Sequence, residues 1–129
     1  MKKITILLFL SMCVCINCTN DEEPLLSHVY GWAYRTSDST GINGLIIKIR
    51  DIDPHDLEVL RNRTLTTQTM DSLPGYFEID TVCYGTTKIQ GASYVTMFID
   101  SVDNPTWPDT AWYPNLRGPV DTVIIYLGN

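Results

Sequence analysis

The amino-acid sequence predicts an all-β protein whose main part is a β-sandwich. Three features carry this prediction: short segments alternate apolar and polar residues, these segments are rich in β-branched and aromatic residues, and turn-forming residues separate them. The sequence shows no long stretch with the 3.6-residue apolar periodicity of a helix. Roughly seven short strands within about 100 residues form the pattern typical of a two-sheet sandwich.

An export signal precedes this domain. Two lysines near the N-terminus are followed by residues 4–16, an apolar run of 13 residues that only Thr5 and Ser11 interrupt. A run of this length fits a signal peptide and is shorter than the roughly 20 residues that span a bilayer as a helix. We therefore predict a cleaved signal peptide over residues 1–17; an uncleaved N-terminal membrane anchor is the alternative.

The cysteines indicate which kind of signal this is. Three of the four lie at the end of the apolar run, where they are poorly placed for a disulfide framework. The stretch Cys15-Ile16-Asn17-Cys18 resembles the lipobox of a bacterial lipoprotein, and Cys18 is then the lipidated first residue of the mature chain. A frame ending at Cys13 is the alternative. Several acyl chains anchor a protein stably, so the first predicted partner is a membrane.

Residues 18–27 are predicted to be the lipid anchor and tether, and residues 28–129 the β-sandwich domain. The acidic run over residues 21–23 resembles surface-export signals on lipoproteins of some Gram-negative lineages; an ordinary solvated tether is the alternative. We expect an exported protein that is lipid-anchored to the cell envelope at the outer membrane, and surface-exposed if the acidic run is an export signal.

The charge of the mature chain excludes one class of partner. Without residues 1–17, the remaining 112 residues carry 7 basic and 15 acidic side chains, a net charge near −8. Nucleic acids demand clustered positive charge, so no nucleic-acid partner is predicted. Cys83 is the one cysteine of the domain, and we expect a buried small hydrophobe rather than a nucleophile.

The first two predicted strands lie on either side of a loop. In the first strand, Tyr30, Trp32 and Tyr34 fall on one side at period two. The loop is assigned from its Ser, Thr, Asp and Gly content, and the second strand is rich in β-branched residues. The stretch that follows, residues 51–60, is the only one that favours a helix, and a single turn with Pro54 at its first position is predicted.

The later strands are shorter and separated by turns. The third is rich in Thr and is expected to be half-exposed. The fourth alternates apolar and polar residues after the turn-forming residues 71–75, and the last has the composition of a buried strand. In chain order the predicted strands cover residues 28–35, 44–50, 63–69, 75–80, 86–89, 93–100 and 121–127, with residues 110–113 as a further short candidate.

Residues 28–100 also resemble a known family. The pattern comprises Val29-x-Gly31, Gly41-Ile42-Asn43-Gly44-Leu45-x-Ile47-x-Ile49, Thr67-x-Thr69 and Gly75-Tyr76-Phe77-x-Ile79. It looks like the carboxypeptidase regulatory-like, or transthyretin-like, domain. The resemblance implies a seven-stranded Greek-key sandwich of prealbumin type, used as an accessory or adhesive module without catalytic residues. In such a fold Gly75 supplies a permissive backbone at the turn, and Phe77 and Ile79 point into the core.

A long segment near the C-terminus is the first candidate for binding. Residues 100–120 contain four prolines together with Trp107, Trp112 and Tyr113. Loops of this length are commonly functional or disordered, and the aromatic residues argue against disorder. Exposed rings would form a platform for sugars or a hot spot for a protein partner. In the alternative, Trp107 and Trp112 fold back and plug the open end of the sandwich.

Candidate metal ligands and catalytic groups are weaker. Asp51, Asp53 and Asp56 could gather oxygen ligands for Ca²⁺, but their spacing differs from that of an EF-hand and acidic residues are ordinary in turns. No metal or cofactor is therefore predicted. His28 and His55 could belong to a hydrolase triad, but the sequence has no Gly-x-Ser-x-Gly nucleophile elbow.

The sequence therefore predicts a non-enzymatic, lipid-anchored envelope module for binding or structural support. The partner would be an envelope protein or a glycan. The alternatives are a carbohydrate-binding surface lipoprotein that uses the aromatic loop and, less favoured, a small hydrolase.

Overall fold

The computed structural model of the chain describes residues 22–89 and 94–128. The predicted signal peptide, Cys18 with its lipid and the acidic Asp21 lie outside these residues. Within the described part, no helix is long and apolar enough to cross a membrane. That part is all-β and forms two sheets of four strands each.

The described residues contain eight strands rather than the seven predicted. The short candidate over residues 110–113 forms a strand and the predicted strand over residues 86–89 does not, which leaves the count at seven. The eighth strand arises because the structure divides the Thr-rich third strand at Thr67. This residue is buried, and its hydroxyl donates to Ile42 O and accepts from the N–H of Leu45, so the chain turns there from one sheet into the other. In chain order the strands are β1 (Pro24–Arg35), β2 (Ile46–Ile52), β3 (Leu60–Thr66), β4 (Gln68–Met70), β5 (Leu73–Thr86), β6 (Thr96–Ile99), β7 (Thr110–Trp112) and β8 (Val120–Leu127).

Several other strand boundaries differ from the prediction. The first strand begins at Pro24, where it pairs with Thr86, so part of the predicted tether belongs to the domain. The predicted strand over residues 86–89 is wrong, because Thr86 is the last residue of β5 and residues 87–89 lie outside any strand.

The predicted helical turn over residues 51–60 is also wrong. Asp51 and Ile52 complete β2, and the following residues form turns. The carboxylates of Asp53 and Asp56 accept the backbone N–H groups of His55 and Glu58, two residues further along in each case. This local bonding offers the backbone an alternative to the helix, which is why Asp residues favour turns.

The two sheets have the strand orders β4-β5-β1-β8 and β3-β2-β6-β7. Neighbouring strands are antiparallel except for β1 and β8, which run parallel from His28–Val120 to Arg35–Leu127. Because the chain passes directly from β3 to β4, these two edge strands lie on the same side of the sandwich. The edge strands β7 and β8 therefore lie on the opposite side, joined by residues 113–119.

The core lies between the inner faces of the two sheets. Phe77 is fully buried there and Ile79 packs against it, as the family resemblance implies. Gly31 allows β1 and β8 to approach closely, because a Cβ at this position would lie 1.7 Å from Val123 O. The buried apolar side chains of the core are Val29, Ala33, Ile42, Leu45, Ile47, Ile49, Phe77, Val82, Val95, Met97, Ile99, Trp107, Leu116, Ile125 and Leu127.

Candidate binding surface

The structure separates the three aromatic residues predicted to act together. Trp107 belongs to the core with only 9% of its surface exposed, Trp112 on β7 packs partly buried against the core, and Tyr113 is 67% exposed. The guanidinium of Arg35 lies 5.4 Å from the Trp107 ring centroid and covers it further. Trp107 therefore packs as the plug alternative expected, and the three rings do not share one exposed surface.

Asn104 explains why this segment folds inward. Its side chain is buried and pairs with the backbone of Ile46, accepting the N–H at 2.8 Å and donating to the carbonyl at 2.9 Å. This contact fixes the segment to β2, and the N–H of Trp107 then donates to Asn104 O. The anchoring role of Asn104 was not predicted from the sequence.

Tyr113 and Trp112 instead border a groove between the two edge strands β7 and β8. The groove has a volume of about 440 Å³. Its lining is mainly apolar and consists of Ala111, Trp112, Tyr113, Pro114, Val123, Ile124 and Ile125.

A larger aromatic surface covers the outer side of the β4-β5-β1-β8 sheet. Successive side chains of a strand point to opposite faces, so the buried Val29, Gly31 and Ala33 direct their neighbours outward. Registered residues of β5 and β8 extend the same face, since Tyr76 pairs with Trp32 and Tyr126 with Tyr34. We call this surface the aromatic face; its ring residues are Tyr30, Trp32, Tyr34, Tyr76 and Tyr126.

The rings of the aromatic face contact one another across the strands. Trp32 meets Tyr30 and Tyr76 edge to face, with centroid distances of 6.0 and 5.4 Å, and Tyr34 lies 5.8 Å from Tyr126. Tyr126 keeps 55% of its surface exposed. The buried indole N–H of Trp32 has no hydrogen-bond partner within the described residues. The rings thus form two contacting groups on one face of the sheet, in which Tyr76 is buried and Tyr126 is exposed.

Polar groups lie along one end of the aromatic face. The hydroxyl of Tyr76 donates to a carboxylate oxygen of Glu78, and this bond together with partial burial raises the pKa of Tyr76 to about 12. His28 lies between two carboxylates, 3.4 Å from Glu78 and 3.2 Å from Asp80. The hydrogen bond to His28 lowers the pKa of Asp80, and the N–H of Thr81 adds to this effect. Ring faces and hydrogen-bonding groups are therefore adjacent on one flat surface.

Of the candidate Ca²⁺ ligands, Asp51 has a role that the sequence did not reveal. Its side chain is completely buried and accepts two hydrogen bonds of 2.9 Å from Arg61, one of 3.2 Å from Arg63 and one of 2.8 Å from the N–H of Cys83. The bond to Asp51 raises the pKa of Arg61, whereas burial lowers that of Arg63. We call Asp51, Arg61 and Arg63 the ionic centre.

The ionic centre joins the two sheets. Arg61 and Arg63 extend from β3 and also donate to the carbonyl of Thr81, on β5 in the other sheet. Thr81 has a φ of +57°, in a bulge where two residues of β5 face His28 of β1. The left-handed conformation turns its carbonyl toward the two guanidinium groups. The sequence alone does not predict this arrangement, because it depends on which side chains meet across the two sheets.

The other candidate Ca²⁺ ligands bond within the protein. Asp53 and Asp56 cap the turns after β2, as described above. Elsewhere, Lys48 Nζ lies 2.5 Å from Asp100 and 2.9 Å from Asp103, and its bond lowers the pKa of Asp100. Among the described residues, no three His, Cys, Asp or Glu side chains lie close enough to hold a metal ion.

The described residues also show no assembled catalytic group around the histidines. The contacts of the His28 ring are with carboxylates, His55 is exposed in the turn after β2, and the hydroxyl of Ser27 donates instead to Asp121. Cys83 is fully buried, as predicted, and burial raises the pKa of its thiol, which opposes thiolate formation.

The aromatic face was only partly predictable. The period-two spacing of Tyr30, Trp32 and Tyr34 placed them on one side of a strand, but the contributions of Tyr76 and Tyr126 depend on strand order and register.

In comparisons with family models, curated proteins and solved structures, none matches this chain significantly.

Proposed function

We propose that this chain is a non-enzymatic binding module of the cell envelope, anchored by lipid at Cys18 and binding through the aromatic face. The observation that carries the proposal is the aromatic face itself. An antiparallel sheet that covers one core usually presents polar side chains on its other side. A contiguous apolar patch on a soluble domain commonly marks an interaction site.

The predicted anchor would hold this face close to the bilayer. Cys18 is six residues before Pro24, the first residue of β1. An extended chain spans at most about 3.5 Å per residue, so the sandwich would begin within roughly 20 Å of the lipidated cysteine. A tether of this length favours a partner at the membrane surface. The family resemblance supports a Greek-key fold of prealbumin type for the same module.

The anchor and the binding face are tested separately. Intact mass spectrometry of the membrane-extracted protein should show loss of residues 1–17 and acylation at Cys18, and Cys18→Ser should release the protein into the soluble fraction. An unmodified Cys18 in the mature protein would refute the anchor without touching the fold.

The binding role is tested with the double variant Tyr34→Ser/Tyr126→Ser. Both rings lie at the outer edge of the aromatic face and contact each other rather than the core. We expect recovery of envelope partners by affinity capture to fall at least tenfold while the melting temperature changes little. The exposed pair Val102→Ser/Leu73→Ser, which removes apolar surface elsewhere, is the matched control. Equal recovery with all three proteins would contradict the proposed face.

Carbohydrate binding is the second candidate, and the polar end of the aromatic face favours it. Sugar rings stack their C–H faces on aromatic rings while their hydroxyls bond to carboxylates, and Glu78 and Asp80 lie beside Tyr76 and Tyr30. Titration with soluble envelope polysaccharide should give saturable binding that Glu78→Gln weakens several-fold. Binding that this variant and Tyr34→Ser both leave unchanged would exclude the aromatic face as the sugar site.

A further inference from the structure

Within the part of the chain that the structure describes, the outer edge of β8 has a row of backbone groups without hydrogen-bond partners. Pro119 O and Leu127 O accept the N–H groups of His28 and Thr36, so the odd-numbered residues of β8 direct their backbone toward β1. Backbone direction alternates along a strand in a parallel ladder. The N–H and C=O groups of the even-numbered residues therefore point away from the sheet; these residues are Val120, Thr122, Ile124 and Tyr126. No hydrogen bond within the described residues reaches these groups.

The other three edge strands are protected, whereas β8 is not. The strands β4 and β7 have three residues each, and β3 carries Arg61 and Arg63. Short length and charged side chains are the usual means of preventing unwanted strand pairing. The eight residues of β8 include one charged residue, Asp121, which is occupied by Ser27 and by the N–H groups at residues 117 and 118. The outward residues are all uncharged.

The groove between β7 and β8 lies directly beside this edge. Trp112, Tyr113 and Pro114 form one wall, and residues 123–125 of β8 form the other. In a strand added to β8, every second side chain would point to the inner side of the sheet, as residues 123 and 125 do. Those side chains would enter the groove, whose apolar lining suits aliphatic or aromatic residues.

We propose that the edge of β8 binds an extended polypeptide segment of another protein, which adds a fifth strand to the β4-β5-β1-β8 sheet and places apolar side chains at alternate positions into the groove. A polypeptide is the ligand that matches alternating donors and acceptors repeating every two residues, about 6.8 Å. A second copy fits less well: the inward residues of its β8, such as Ile125, already lie in its own core and would leave the groove empty. This site adjoins the aromatic face, with which it shares Tyr126, but it uses the backbone edge of β8 and the groove on the inner side of the sheet, and it does not depend on the lipid anchor.

The test uses the full chain in detergent and four synthetic eight-residue peptides. Each peptide alternates Thr with one of Val, Leu, Phe or Trp. We expect at least one to bind saturably and to slow amide exchange at the even-numbered residues of β8. N-methylation of the peptide at the residues that bond to β8 should abolish binding, whereas N-methylation at the alternate residues should leave it within about threefold.

Two variants address the edge itself. Ile124→Pro removes one outward N–H and no bond to β1, so the fold should persist, since proline is tolerated where the N–H faces solvent. Ile124→Lys adds a charge at the same position. Both should weaken peptide binding at least tenfold, whereas Gln68→Lys on the opposite edge strand β4 should have no effect. An unchanged far-ultraviolet circular dichroism spectrum shows that each variant is folded.

The other outcomes overturn the proposal. A monomer whose even-numbered β8 amides are already protected would show that another segment of this chain covers the edge. Dimerisation abolished by Ile124→Lys would identify a second copy as the occupant. Absence of binding and of amide protection with all four peptides would show that the edge does not accept a strand.

Discussion

Replacement of Asp51 by Asn should be among the most destabilising single changes in the domain. Its carboxylate is completely buried and holds two guanidinium groups and one backbone N–H. Asn keeps the size of the side chain but removes the charge and presents an NH₂ group to donors. Removal of one partner from a buried ion pair typically costs about 3–5 kcal/mol, because the other charge stays unpaired.

The geometry places the expected loss near the lower end of this range. Arg61 and Arg63 keep 24% and 27% of their side-chain surface exposed, so water can partly replace the lost carboxylate. A loss of about 3 kcal/mol is a large fraction of the 5–15 kcal/mol that stabilises a domain. With an unfolding entropy of roughly 0.23 kcal/mol/K for a domain of this size, the melting temperature should fall by about 13 °C.

Thermal and urea unfolding followed by circular dichroism measure this loss. Asp53→Asn is the matched control, because an Asn side chain can accept the same N–H of His55 and the change should cost under about 0.5 kcal/mol. In a double-mutant cycle, Asp51→Asn and Arg61→Met should be coupled by at least about 1 kcal/mol. A melting temperature for Asp51→Asn within about 3 °C of the wild type would refute the assignment of a stabilising ionic centre.

Three further predictions follow from other contacts. Thr81→Gly should raise the free energy of unfolding by up to about 1 kcal/mol, because glycine relieves the strain of a positive φ. A lower free energy of unfolding in urea for this variant would contradict the prediction. Trp107→Ala should cost about 3–5 kcal/mol and Tyr113→Ala under about 0.5, as unfolding midpoints will show; similar costs would contradict the plug. The pKa of Asp100 is lowered in the fold, so its stabilising bond to Lys48 is present above the unfolded pKa near 3.9 and is lost as the pH falls through the lower folded pKa. Melting temperatures should therefore drop below about pH 4, and Lys48→Met should flatten that drop; an unchanged profile would exclude this pair as its cause.

Local patterns predicted most of the strands but not where one sheet gives way to the other. Alternation located the strands around Trp32 and Phe77 because one face of each is buried in the core. The last strand was predicted from its composition as a buried one, but it is an edge strand with Ile124 and Tyr126 exposed. Thr67 lies in a Thr-rich run, where its residue type does not distinguish it from its neighbours. Its hydroxyl bonds with Ile42 and Leu45, residues distant in sequence, decide that the chain crosses there.

The candidate sites show the same division. Asp51 belongs to a run of acidic residues that is indistinguishable from an ordinary turn, and its burial depends on two arginines that β3 brings alongside β2. Likewise Trp107 is of a residue type that is common at binding sites, but the contact of Asn104 with Ile46 directs Trp107 into the core.

The sequence by itself determined the all-β class, the approximate positions of most strands, the placement of Tyr30, Trp32 and Tyr34 on one side of a strand, and the burial of Cys83. These properties follow from the two-residue period of a strand, which a single segment already displays. Only the tertiary structure decided the strand order, the ionic centre and the unprotected edge of β8. Each of these depends on which distant segments become neighbours, and that is settled by packing of the two sheets rather than by any local pattern.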